Sequence, residues 1–327
     1  MQPKAKDYVF QSGISSQINA FLNEKFNLGY KYDRVYLELM SLDRFLLERG
    51  CNDALTQGLA LEWVERKPHH KPLTTEYKIN ILQQLADFML RNGFNAYRIP
   101  QNMIPQKTYE HIPYIFSRNE ISRILQAIDN TKYSYTSRKR HLVFPLLYRF
   151  LYCCGLRVTE ALTLKYGDID FENNVVTIRS SKSYTDRLIP LDDSLKARVL
   201  QYRNDMKFSG NSGDHFFPAP DGLQYHIFTI RNMFRKYLWE AGIPYRGRNH
   251  GPRLHDLRHT FAVHSYQKMI SEGRDPNSIL PLLAAYLGHK NYTATSRYLH
   301  LAAESYPEII SQSEAAFGNL IPPEVTL

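Results

Sequence analysis

His255 and Arg258, in the run Arg253-Leu-His-Asp-Leu-Arg-His-Thr-Phe-Ala262, stand three positions apart. On a helix that spacing puts both side chains on one face, where an imidazole and a guanidinium can converge on one anion. His289 and Tyr298 follow in Leu287-Gly-His-Lys-Asn-Tyr-Thr-Ala-Thr-Ser-Arg-Tyr-Leu299. Gly288 suits a helix C-cap, so the chain can turn there and restart, with Thr293 or Thr295 as the new N-cap placing Tyr298 about a turn later. Upstream, Gly155 ends the apolar run Leu142 to Cys153 and lets the chain reverse into Arg157-Val-Thr-Glu160. Arg157 and Glu160 are then one helical turn apart, and the carboxylate can pair with and orient the guanidinium. Lys182 lies between Val175-Val-Thr-Ile178 and Arg187-Leu-Ile-Pro-Leu191, two β-rich runs split by polar residues, which predicts a hairpin with the lysine near its tip.

Taken singly, each residue has an ordinary explanation. The chain has 23 tyrosines, most of which must be core or surface filler, and an isolated His-x-x-Arg is usually a solvated helix face. The joint pattern is different, because the order and spacing of all five motifs must agree at once. In that joint pattern the sequence closely resembles the tyrosine recombinase (phage integrase) family, over essentially the whole chain and most specifically from Arg157 to Tyr298. Matched position by position, the resemblance implies a catalytic set of Arg157, Lys182, His255, Arg258, His289 and the nucleophile Tyr298, supported by Glu160. Ser181 and Ser183 stand where the family usually flanks the hairpin lysine with glycines.

The chemistry so implied is DNA strand cleavage and rejoining without a metal, another cofactor or ATP. Arg157 and Arg258, as permanently charged forks, would neutralise charge building on the phosphoryl oxygens, with His255 and His289 as further donors. Tyr298 would form a 3′-phosphotyrosyl bond that stores the energy of the broken phosphodiester. Lys182 is the candidate acid for the departing 5′-oxygen, and His255 the candidate base for the phenol. Double-stranded DNA is the expected partner. Exchange needs two sites held together, so a homotetramer on two DNA sites is expected, with Ile309, Ile310 and Phe317 of the tail available to dock on a neighbour. A type IB topoisomerase would share nucleophile and donors but religate the same strand, and a non-catalytic DNA clamp would keep the surface alone. The His-x-x-Arg motif and Leu287-Gly-His289 favour the recombinase.

The expected fold is mainly α with a small antiparallel β-sheet. Residues 1–12 read as a loose arm. Apolar residues then recur at helical spacing from Ser15 (Ile18, Phe21, Leu22), through Val35, Leu39, Leu42 and Leu46, over Gln57 to Arg66, and from Thr74 to Gly93. These four helices predict an N-terminal helical bundle over 1–93, which by resemblance is the SAM-like core-binding domain that clasps DNA. Prolines 100 and 105 in a polar stretch mark 94–111 as a linker. An α+β catalytic domain with a C-terminal tail would occupy 112–327, opened by the capping box Ser117-Arg-Asn-Glu120. Its strands are expected at Ile169–Phe171, Val175–Arg179 and Arg187–Pro190, with helices at about Ser194–Lys207 and Phe228–Ala241.

A formal charge of +9 argues for a polyanionic partner, since clustered Lys and Arg gain affinity by releasing condensed counterions. Arg138, Lys139 and Arg140 beside the Arg157 motif, and Arg246, Arg248 and Arg253 leading into His255, are the candidate phosphate contacts. No apolar run approaches the roughly 18 residues needed to cross a bilayer, and the start lacks a secretory core, so no membrane association and a cytoplasmic location are expected. Three cysteines, two of them adjacent, offer neither a disulfide framework nor paired metal-ligand spacing. A simple recombinase of a bacterial mobile element is the expected biological setting.

Overall fold

The computed structural model describes residues 8–66, 72–103, 112–179, 186–208, 210–245, 247 and 251–288. Lys182, Arg246, Arg248, His289, Tyr298, Ile309, Ile310 and Phe317 lie outside the described residues. The chain is mostly helical with one small antiparallel sheet, and it divides into the units Met1–Glu110 and His111–Leu327. Among the described residues no helix is long and apolar enough to cross a membrane.

The first unit comprises α1 (Ser15–Asn27), α2 (Asp33–Glu48), α3 (Gln57–Val64) and α4 (Pro72–Arg91). Each buries the stripe its periodicity marks: Ile18, Phe21 and Leu22 from α1, Leu39, Leu42 and Leu46 from α2, and Ile81, Leu82, Leu85 and Met89 from α4. On α2 Tyr36 is buried, while its neighbour Val35 packs at the margin. Residues 8–12 are not loose. Asp43, fully buried on α2, accepts hydrogen bonds from the Tyr8 hydroxyl (2.9 Å) and from the backbone N–H groups of Gln11 (3.0 Å) and Ser12 (2.9 Å). A carboxylate removed from water demands such donors, so it draws the N-terminal segment in, and Phe10 is buried beside it. Similarly, Ala96 to Ile99, placed by their prolines in the linker, are held by this unit. Tyr97 N–H donates to the Leu55 carbonyl (2.7 Å) and Gln83 to the Ile99 carbonyl (2.7 Å).

In the second unit, α5 (Arg118–Asp129) opens on a capping box in which Ser117 and Glu120 satisfy each other's backbone N–H groups. α6 (Arg140–Cys153) is apolar nearly all round, and α5, α8 (Asp193–Met206) and α10 (Asp256–Ser271) pack against it. α7 (Val158–Thr163) follows it after a tight reversal. The sheet runs β1 (Ile169–Asp170), β2 (Val175–Ile178), β3 (Arg187–Pro190), antiparallel throughout, with Ile178 opposite Arg187 and Val175 opposite Pro190. Its period of two sends Val176, Ile178 and Ile189 into the core. α9 (Ile227–Glu240) and α11 (Pro276–Leu287) complete the described elements. Arg138, Lys139 and Arg140 are not beside Arg157. They stand at the start of α6 and Arg157 beyond its end, and 14 residues of helix separate the two by about 21 Å.

Candidate active site

Gly155 makes the reversal between α6 and α7 possible. Its φ of +58° is left-handed, and a Cβ there would lie 2.4 Å from Cδ1 of Phe261 on α10. Gly155→Ala therefore combines left-handed strain with a clash, and should destabilise the protein by about 2–4 kcal/mol. Denaturant unfolding measures this. An unchanged midpoint would contradict the turn.

The reversal delivers Arg157 as the N-cap of α7 and Glu160 to its first turn. Glu160 Oε2 accepts the Arg157 backbone N–H (2.8 Å) and Oε1 accepts Arg157 Nη1 (2.6 Å), so one carboxylate both caps the helix and orients the guanidinium. Arg157 Nη2 donates onward to the Gly288 carbonyl at 3.1 Å. From α10, Arg258 donates through Nη1 to the Gly155 carbonyl (2.7 Å) and through Nη2 to the Leu287 carbonyl (2.5 Å). Leu287 and Gly288 are the C-terminal end of α11, where carbonyls lack helical partners and the macrodipole is negative, so guanidiniums are stabilised there. The next residue in sequence is His289. The Arg258 side chain is only 2% exposed whereas that of Arg157 is 30% exposed, so Arg258 forms the floor and Arg157 offers an accessible edge.

A third arginine completes the cluster, and the sequence reading did not single it out. Arg187, first residue of β3, donates Nη1 to Glu160 Oε1 (3.0 Å) and Nη2 to Glu160 Oε2 (2.7 Å). The signal was present in the strand. Arg187 shares its β-face with buried Ile189, and a charge on the core side of a strand requires a counter-charge. Burial works to raise the pKa of Glu160, but the hydrogen bonds and charge of Arg187, with those of Arg157, outweigh it and hold the carboxyl down at about 2. Its value thus lies below the ordinary 4.5. Its contribution to stability is complete above that value and lost as pH falls toward 2.

His255 N-caps α10, edge-on to His259. Dehydration by the surrounding chain, then the charges of Arg258 and Arg157, push its imidazolium down to about 4. Because the residue is exposed, solvent weakens the first of these causes, and the two guanidiniums are the more durable one. The ring is neutral at neutral pH. Arg253 is half-buried, and its backbone N–H donates to Asp256 Oδ2 at 2.7 Å. Burial pushes the Asp256 carboxyl up to about 6 against that bond. Arg138 and Lys139 are exposed, while Arg140 is half-buried with its guanidinium 5.7 Å from the Phe144 ring centre.

The described site therefore brings together Arg157, Glu160, Arg258 and His255, adds Arg187, and leaves three guanidiniums facing one carboxylate: an anion trap with an accessible arginine edge and a neutral imidazole.

Comparison with known proteins places this site in context. Residues 115–305 match the model of the phage integrase family. A Sinorhizobium fredii protein named as an integrase/recombinase, y4rB, is 28% identical over 307 residues, covering 93% of this chain and 98% of that protein. A tyrosine recombinase of Pseudothermotoga lettingae is 27% identical over 235 residues, covering 72% of this chain and 73% of its own length. Among solved structures, the Tn1549 transposon integrase in complex with transposon right end DNA superposes with a TM-score of 0.62 at 17% identity, over 90% of this chain and 99% of that one. The XerH site-specific recombinase bound to its palindromic difH substrate, a post-cleavage complex, gives 0.61 at 21% identity, over 79% and 72%. These two likenesses are of fold.

Proposed function

The chain belongs to the phage integrase family of tyrosine recombinases, and on that premise we propose that it cuts and rejoins double-stranded DNA at specific sites through a 3′-phosphotyrosyl intermediate, in integration, excision or transposition of a mobile element. The observation that carries this reading is the convergence of Arg157, Arg187 and Arg258 on one carboxylate and on the carbonyls that immediately precede His289. A phosphodiester suits it. The fixed guanidiniums of Arg157 and Arg258 would meet the charge that grows on the non-bridging oxygens and need no reorganisation as it grows. The DNA complexes of the Tn1549 integrase and XerH agree with duplex DNA as partner, and a net charge of +9 favours its approach.

In this scheme Tyr298 attacks phosphorus in line. The bond from its oxygen to phosphorus forms, the bond from phosphorus to the 5′-oxygen breaks, and Lys182 supplies the proton the departing oxygen needs. The phenolic proton passes to His255, whose neutral ring can accept it, while His289 adds a donor to the phosphoryl oxygens. Attack by the 5′-hydroxyl of a second strand reverses these steps, so neither ATP nor a metal ion is required. Arg138, Lys139, Arg140, Arg246, Arg248 and Arg253 are assigned to backbone phosphates, the first three about a helix length from the reacting centre. Four protomers on two duplexes form the active assembly.

The test is to trap the chain covalently on DNA in cells, sequence the attached DNA, and return it to the purified protein on a supercoiled plasmid. Strand exchange between two copies of the recovered site is expected. Relaxation without exchange would mean topoisomerase-like religation, and absence of any adduct would mean a DNA-binding clamp.

A further inference from the structure

Arg187 is given no step in the scheme above, yet its fork grips Glu160 by both carboxylate oxygens. Its two terminal nitrogens take both carboxylate oxygens side-on, and each partner's side chain is only 11% exposed. The Arg157 guanidinium reaches the same carboxylate through Oε1 alone, Oε2 accepting only its backbone N–H, and its second terminal nitrogen is left for the Gly288 carbonyl. Arg258 comes no closer to Glu160 than 3.8 Å. Gly288 leaves room for this arrangement, since a Cβ there would lie 3.3 Å from Arg187 Nη1 and 3.6 Å from its Cδ.

An arginine facing a free carboxylate settles into a two-pronged pair, because two parallel charge-assisted hydrogen bonds are stronger than one. The Arg157 guanidinium does not do so here, since Oε2 already accepts Arg187 Nη2 and the Arg157 backbone N–H. We propose that Arg187 is a positioning residue for strand cleavage: by occupying both oxygens of Glu160 it prevents Arg157 from closing onto the carboxylate, and so holds Arg157 between Glu160 and Gly288 with its outer edge open to a phosphate. Arg187 touches neither nucleophile nor phosphate in this role, and acts through Glu160. The role presupposes the strand-cutting reaction proposed above.

A second consequence follows from charge. Glu160 is half-buried, and the groups facing it are Arg157 ahead of α7, Arg187 on β3, Arg258 on α10 and His255 at its N-cap. Burial alone raises its pKa, and Arg187 is the foremost influence that lowers it. Without Arg187 the carboxyl takes up a proton at higher pH, and a protonated Glu160 no longer holds Arg157. The loss of activity therefore deepens as pH falls and recedes as pH rises.

The experiment uses the full-length chain and, as probe, the duplex recovered by covalent trapping, cleaved in single turnover. Arg187→Gln should slow adduct formation by about 10²-fold, the scale of a misaimed group at a reacting centre. Arg187→Lys, which keeps the charge and loses the fork, should slow it by about tenfold. DNA affinity should stay within about threefold, because the contacts to DNA are made elsewhere. Between about pH 8 and about pH 5.5, the rate of Arg187→Gln relative to the unaltered chain should fall on the acid side. The ratio removes Asp256, which titrates in that window in both chains, and His255 titrates below it. Combined with Glu160→Gln, the Arg187→Gln change should cost no more than the larger single change, since both break one device.

Thermal melts accompany each variant. If Arg187→Gln is unfolded at the assay temperature, the rate of Arg187→Lys decides. Full rate in Arg187→Lys, a flat pH ratio, or additive costs in the double variant would each overturn the positioning role. If instead the unaltered chain forms no adduct with any DNA, the strand-cutting reading falls, and the role of Arg187 falls with it.

Discussion

Tyr298→Phe is expected to bind DNA with unchanged affinity and to form no covalent adduct at all. Only the phenolic oxygen is lost, and that oxygen is the atom that must bond to phosphorus, so no residual route to a phosphotyrosyl linkage remains. Tyr298 lies outside the described residues, and its assignment rests on its place nine positions after His289. Among the described tyrosines, Tyr286 immediately precedes Leu287 and Gly288, whose carbonyls receive Arg258 and Arg157. Burial pushes its phenol far up, and its ring stacks on Phe261, which leaves it unfit to attack. Tyr152 is hydrogen-bonded to Nδ1 of His264 at 2.9 Å, and burial raises its phenol too. Tyr292, three residues after His289, is the remaining rival. The measurement is retention of labelled DNA by denatured protein. Adduct persisting in Tyr298→Phe and vanishing in Tyr292→Phe would show that the motif has been registered on the wrong tyrosine.

The helices were legible because each buries a stripe written at a period of 3.6, and the pairing of Arg157 with Glu160 was legible because both ends lie within one turn. What escaped depends on contacts between residues distant in sequence. Arg187 reaches Glu160 across 27 positions, and Asp43 gathers Tyr8, Gln11 and Ser12 across more than 30. Nothing local marks either partner. A clue of a weaker kind did exist, since both are charged residues on the buried side of an apolar pattern, and such a residue must find a counterpart. The basic run Arg138 to Arg140 was misplaced for another reason. Nearness along the chain is not nearness in space, because a helix of 14 residues intervenes. The turn at Gly155 shows the converse: a single glycine with positive φ brings Arg157 to Glu160, and to the carbonyl at the end of α11.

Lys182→Ala is expected to cleave ordinary DNA more slowly by about 10²-fold or more, yet to cleave DNA whose bridging 5′-oxygen is replaced by sulfur at close to the unaltered rate. Lys182 also lies outside the described residues, but the strand ends on either side of residues 180–185 are described. Arg179, following β2, donates to Asp168 at 2.7 Å, and Arg187, opening β3, is held by Glu160. Both ends are therefore tied by arginine–carboxylate pairs within the second unit, the second of them in the arginine cluster itself. A general acid matters because the departing 5′-alkoxide is strongly basic. A thiolate leaves without a proton, so sulfur removes the need that the lysine meets. Arg157→Ala and Arg258→Ala should gain nothing from sulfur, because the charge they leave uncompensated is on the non-bridging oxygens, which the substitution does not touch. Arg258→Ala has a further cost, since it leaves the carbonyls of Gly155 and Leu287 without the guanidinium that joins them. The comparison thus separates the two halves of the chemistry on one substrate pair. If Lys182→Ala stays equally slow on both substrates, the lysine acts by binding phosphate, and the proton must come from His255, His289 or a bound water.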